Sequence, residues 1–196
     1  MHKREVIGIN TLAYGLLSLL TVSPSYGYDL ISKIKLFWPA NHGQIYPLLA
    51  KLVDNGLVSY EQVQQCDKPD KKVYSLTESG KAALLDWIAK PTAAPALRDE
   101  LALKTFCIRK TEPATARSLF AARIGFYKQN LKDLQDKENL LKEKLAIDDL
   151  SQIPFDSPYF GGYLLIQKAV WNITSDLQWC EWALKLFEKH LAERQL

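Results

Sequence analysis

GQIYPLLAKLVDNGLVSYEQV, residues 43–63, reads as a short helix, an abrupt stop and a strand. Ile45, Leu48, Leu49 and Leu52 fall at i, i+3, i+4 and i+7, which is one face of an α-helix and predicts burial. At about 100° per residue, Gln44, Pro47, Ala50, Lys51 and Asp54 point the other way, with Tyr46 on the border. Pro47 sits among the first helical residues and stiffens them, and Asn55-Gly56 offers a left-handed cap that ends the run. A helix this short, anchored by leucines behind, suits the presentation of a few side chains to a partner.

The flanks extend the pattern. Asn10-Thr11 can cap a helix through LAYGLLSLL, with Leu12, Leu16, Leu19 and Leu20 on one side. A second helix is predicted over roughly 26–36, with Leu30, Ile31 and Ile34 as its apolar stripe, ended by Phe37-Trp38-Pro39. LVSYEQV and KKVYSLT read as two strands around the turn QQCDKPD, and Thr77 can cap a fourth helix bearing Leu84, Trp87 and Ile88. Three helices and then a two-stranded hairpin is the order of a winged helix-turn-helix. Its third helix enters the major groove of DNA and its hairpin tip follows the backbone or minor groove.

That order assigns roles. Gln44 and Tyr46 can hydrogen-bond base edges or phosphates beside Pro47, and Lys51 can neutralise a phosphate. His42 stands at the helix entry, where free backbone N–H groups favour an anion. In the wing Lys68, Lys71 and Lys72 cluster near the turn with Tyr74 on the second strand, and Asp67 and Asp70 dilute their charge. A protein-interaction adaptor built on the same unit is the competing reading. Salt dependence separates the two, because phosphate contacts weaken as salt rises.

Bulk properties exclude more than they assign. The chain has 196 residues, 47% hydrophobic and 24% charged, with a net charge of +3. That charge is too small to announce nucleic acid, so a DNA reading rests on local placement. Cys66, Cys107 and Cys180 are odd in number and far apart, which argues against a disulfide framework. His2, His42 and His190 share no ligand spacing with them, so neither metal nor cofactor is expected. The start, MHKREVIGINTLAYGLLSLL, faintly imitates a signal peptide, but Glu5, Asn10, Tyr14 and Ser18 interrupt it. No membrane span and a cytoplasmic location are expected. No P-loop, nucleophile elbow or histidine–carboxylate motif suggests an enzyme.

Beyond KPTAAPAL (90–97), a Pro/Ala linker, the pattern becomes helical, so domains are expected at 1–90 and 96–196. Phe120, Ile124, Tyr127, Leu131, Leu134, Glu138, Leu141 and Leu145 alternate steps of four and three, a heptad seam with one polar interruption. After the break IPFDSPYFGG the rhythm returns in Ile166, Val170, Ile173, Leu177, Cys180, Leu184, Phe187 and Leu191. Each seam spans about 38 Å. Two equal seams predict an antiparallel, coiled-coil-like pair of long helices. From them Ile124, Tyr127, Leu131, Leu134, Ile173, Leu177, Leu184 and Phe187 are assigned to dimerisation. Trp171, Trp179 and Trp182 form a further aromatic stripe, expected to be covered by a partner chain or to line a pocket for an aromatic effector. The expected fold is therefore mainly α with a small β-hairpin: an N-terminal winged unit and a C-terminal dimerisation domain. A homodimer would hold two reading helices about 34 Å apart, on an inverted-repeat site in double-stranded DNA.

The stretches GYDL (27–30), GQIYPLLAKLVDNGLV (43–58) and KKVYSLTESGKAAL (71–84) resemble the GYxL, GxIYPxLxxLxxxGLV and YxLTxxG patterns of PadR-family bacterial transcription regulators. LRDELALKTF (97–106) is similar to the opening of the C-terminal region in the longer, virulence-activator-like branch. The resemblance implies a dimer that binds palindromic operators. By it, Tyr46 with its neighbours and the wing lysines are the DNA contacts, and a phenolic acid or flat drug is a candidate effector.

Overall fold

The computed structural model describes residues 8–35, 38–64, 71–95 and 98–193. His2, Cys66, Asp67, Lys68 and Asp70, and the Phe37 part of the predicted helix stop, lie outside the described residues. The chain divides into two compact units, Met1–Ala93 and Ala94–Leu196.

The first unit holds α1 (Thr11–Leu20), β1 (Ser25–Tyr26), α2 (Gly27–Ile34), α3 (His42–Asp54), β2 (Val58–Val63), β3 (Lys71–Leu76) and α4 (Glu78–Ile88). Asn10 caps α1, its Oδ1 accepting from the Ala13 N–H at 3.0 Å. The core joins Leu16 and Leu17 of α1, Leu30 and Ile34 of α2, and Ile45, Leu49 and Leu52 of α3. Leu57, Val58 and Leu84 complete it, and Tyr14 stacks on Trp87 with ring centroids 4.8 Å apart.

The end of α3 forms a Schellman motif. Gly56 takes φ 69°. The Leu57 N–H reaches the Leu52 carbonyl at 2.9 Å and the Gly56 N–H the Val53 carbonyl at 2.8 Å. Leu57 and Leu52 are both buried there, which supplies the apolar contact that accompanies such a cap.

Two features differ from the sequence expectation. Tyr26 belongs to a strand and not to α2, so the sheet has three strands in the order β1-β3-β2, all antiparallel. Pro47 lies inside α3 and not in its first turn. Lacking an N–H, it leaves the Gly43 carbonyl without its helical donor on the exposed side of the helix.

The second unit holds α5 (Glu100–Phe106), α6 (Pro113–Leu145) and α7 (Phe160–Glu193). Pro113 starts α6 at a position where its missing N–H costs nothing. The long helices run antiparallel, as paired residues show by stepping in opposite directions: Arg117 with Glu188, Lys128 with Glu181, and Glu138 with Gln167. Phe120, Tyr127 and Cys180 are buried between them with Leu101 of α5. The polar seam residue Glu138 is therefore met by an amide from the opposite helix.

Candidate nucleic-acid interface

The two faces of α3 differ as its periodicity requires. Ile45, Leu49 and Leu52 are fully buried, whereas His42, Gln44, Tyr46, Pro47, Ala50 and Lys51 are exposed. A capping box starts the helix: the Asn41 side chain accepts from the Gln44 N–H, and Gln44 Oε1 accepts from the Asn41 N–H, both at 3.1 Å. Gln44, expected as a free reading side chain, thus spends its carbonyl oxygen on the cap and keeps Nε2 for a partner. Lys51 is also engaged, its Nζ donating to the Gly8 carbonyl at 2.9 Å. Tyr46 is 45% exposed, its ring 6.1 Å from that of His42, and Tyr28 of α2 lies 6.2 Å from His42 on another side.

The wing faces this surface. Lys72 Nζ stands 4.1 Å from the ring centre of Tyr60, and Lys71 Nζ 5.5 Å from that of Tyr26. Between α3, the start of α2 and the wing opens a cleft of about 800 Å³, lined by these side chains and by Asp29 and Asp54. Tyr74, named with the wing lysines, lines it as well, although at 6% exposure most of its ring belongs to the core. The cause is β1: Ser25 pairs with Tyr74 on one side while Tyr60 pairs on the other, so β3 is a central strand. Burial, with Tyr46 and Tyr60 nearby, raises the Tyr74 hydroxyl above its ordinary pKa.

In the second unit the residues assigned to dimerisation lie along α6 and α7. Tyr127 and Leu134 are buried within the protomer, and Ile124, Leu131, Ile173, Leu177, Leu184 and Phe187 are half-buried. Their heptad spacing marks the seam between the two long helices of the protomer. Large exposed apolar side chains of this unit include Phe106 (94%), Phe155 (85%), Trp171 (73%) and Trp182 (60%), with Phe126 and Leu164. Trp179 meets the edge of Phe120 at 6.2 Å. A cavity of about 250 Å³ in this unit is walled by Lys104, Leu119, Arg123 and Phe126 among others. Among the described residues no cluster of three or more His, Cys, Asp or Glu could hold a metal, and no helix is long and apolar enough to cross a membrane.

Residues 16–86 match the profile of the transcriptional regulator PadR-like family, and residues 97–188 that of the virulence activator alpha C-terminal region. The negative transcriptional regulator PadR of Bacillus subtilis is 35% identical over 186 residues, 92% of this chain and all of that protein. The chain belongs to the PadR-like family of transcriptional regulators. The crystal structure of B. subtilis PadR in complex with operator DNA superimposes with a TM-score of 0.73, at 33% identity, over 91% of this chain and 99% of that one. The same PadR in complex with p-coumaric acid superimposes at 0.69 with the same identity and coverage. Membership makes the chain a regulator and not an enzyme, with the winged helix and long C-terminal helices of its relatives.

Within this PadR-family fold the sequence reading missed Tyr26, Tyr28 and Tyr60 as members of the α3 surface. Their signals were the density of tyrosines in the first unit and, for Tyr28, its place in GYDL; the contacts that gather them are tertiary.

Proposed function

We propose that this PadR-family regulator acts as a cytoplasmic homodimer on an inverted-repeat operator. One α3 enters each of two successive major grooves, and each wing lies on the adjoining backbone or minor groove. The observation that carries the reading is the two-faced α3: three residues sealed in the core hold a row of donors and rings in solvent. Its relative crystallised with operator DNA supports the same use. Lys72 is the phosphate contact of the wing, and Nε2 of Gln44 is the base-reading donor.

The dimer forms through the exposed stripe of α7, centred on Trp171 and Trp182, because apolar rings this exposed lose free energy by burial in a partner. A small aromatic acid is the effector class, as the p-coumaric acid complex of the relative suggests.

Anisotropy titration of labelled promoter DNA, repeated across salt, tests the reading. Lys72→Ala is expected to reduce the slope of log affinity on log salt by about one per bound protomer. A steep slope identical in wild type and variant removes Lys72 from the interface, and an absent slope favours the protein adaptor instead. Light scattering of Trp171→Glu and Trp182→Glu tests the dimer separately; both are expected to be monomers with intact helical signal.

A further inference from the structure

We infer that the cavity between α5 and α6 holds a small aromatic carboxylate, with Arg123 as the partner of its carboxylate and Asp99 as the group it displaces. The inference rests on the effector class proposed above and gives that class a site within the second unit. The cavity, about 250 Å³, is of a size for a single ring. Leu101, Leu119, Ala122 and Phe126 supply its apolar wall, and Arg123 and Lys104 its cations. Lys104 is matched by Glu100 one turn away, Nζ to Oε1 at 2.6 Å. Arg123 Nη2 stands 3.2 Å from Asp99 Oδ1, and its Nη1 donates to Tyr127 Oη at 3.2 Å.

Asp99 is a divided partner for that guanidinium. The same Oδ1 accepts from the Leu101 N–H at 2.9 Å and so caps α5. A guanidinium prefers a carboxylate that offers both oxygens to two parallel N–H donors, which a free acid can do. Asp99 and Glu100 balance the charges of Arg123 and Lys104, so an anion gains little by attraction alone. Exchange with Asp99 keeps that balance, and burial of the ring against Leu119 and Phe126 supplies the net gain. The exchange has a consequence along the chain. Asp99 starts α5, the first helix after the 90–97 linker, and its pairing with Arg123 ties that start to α6. A bound acid unties it, which couples the cavity to the segment that leads to the winged unit.

Calorimetric titration of the full-length protein with p-coumarate and with its uncharged methyl ester tests the site, beside anisotropy on promoter DNA and thermal melting as a check on folding. Arg123→Gln is expected to weaken p-coumarate by about tenfold or more, the loss of a charged hydrogen-bonded contact, and to leave the ester unchanged. Ala122→Leu, at an exposed position on the cavity wall, is expected to weaken both. Asp99→Asn keeps the cap and removes the competing charge. It is expected to bind p-coumarate about threefold more tightly, the worth of a partly exposed ion pair, and to show a smaller effect of p-coumarate on DNA affinity. Equal losses of acid and ester in Arg123→Gln, with lowered melting, mean that Arg123 only holds the fold together, and the inference fails. It fails also if neither Arg123→Gln nor Ala122→Leu alters p-coumarate binding, or if Asp99→Asn binds no more tightly than wild type. Absence of heat from wild type at millimolar p-coumarate rejects the site while DNA binding in the anisotropy assay stands. Wild type that binds no DNA defeats the DNA reading instead, and the calorimetry still decides the site.

Discussion

The ring of Tyr46 lies against Gly27, so closely that a Cβ on that glycine would fall 2.8 Å from Cε1. The glycine of GYDL and the tyrosine of IYP, far apart in the chain, thus form one contact between α2 and α3. It sets the direction in which the Tyr46 ring leaves the helix. Gly27→Ala is expected to swing that ring outward at little cost in stability, because the crowded atoms belong to the far end of a half-exposed side chain. Thermal melting should stay close to wild type while affinity for promoter DNA falls about tenfold, the loss of one good contact. Unchanged affinity would mean that the orientation of Tyr46 does not matter.

Gly80 provides the opposite case. A Cβ there would lie 2.0 Å from the Leu57 carbonyl oxygen, which is backbone and cannot step aside. The Thr77 N–H donates to that same carbonyl at 3.2 Å, and Thr77 Oγ1 donates to the Gly56 carbonyl at 2.8 Å. Oγ1 also accepts from the Gly80 N–H, so one residue caps α4 and ties it to the end of α3. Gly80→Ala is expected to lower unfolding stability by about 1–3 kcal/mol, the range for overpacking a close contact. Urea denaturation measures it, and a loss below that of Gly27→Ala would contradict the geometry.

Gln44 has two roles that substitution separates. Glu at this position keeps the capping box, since its carboxylate can accept from the Asn41 N–H and also suits the helix N-terminus. It removes the amide donors and places a negative charge toward DNA. Gln44→Glu is expected to melt at or above the wild-type temperature yet bind promoter DNA at least tenfold more weakly, since a good base contact contributes about 1–3 kcal/mol of discrimination. Gln44→Ala is expected to lose part of both. Should Gln44→Glu bind normally, the residue serves only as a cap.

These contrasts mark how far the sequence was legible. The buried face of α3, the Gly56 stop and the Thr77 cap are local patterns, and each is where its spacing placed it. The seams of α6 and α7 were legible for the same reason. What stayed hidden depends on partners distant in sequence. A two-residue strand has no period to read, so its Tyr26 was taken into a helix, and the burial of Tyr74 was missed with it. The engagement of Lys51 by Gly8 and the gathering of tyrosines around one cleft are likewise tertiary facts.

The helical unit carries a charge pair that acid should undo. Arg117 donates through Nε to Glu188 Oε1 at 2.6 Å and through Nη2 to Oε2 at 2.9 Å, a two-pronged bridge between α6 and α7. The hydrogen bonds from Arg117 hold the Glu188 carboxyl below its ordinary pKa. A carboxyl depressed by folding adds stability above its unfolded value of about 4.3, and the gain disappears as pH falls through the lower folded value. Nearly half of each side chain is exposed, so solvent screens the pair and the effect at neutral pH is small. The expected signature is a slope: from about pH 6 to pH 3 the melting temperature of Glu188→Gln should fall less steeply than that of wild type. Salt should narrow the difference, because it screens exposed charges. Parallel curves for the two proteins would mean that the bridge joins the helices in geometry without stabilising them.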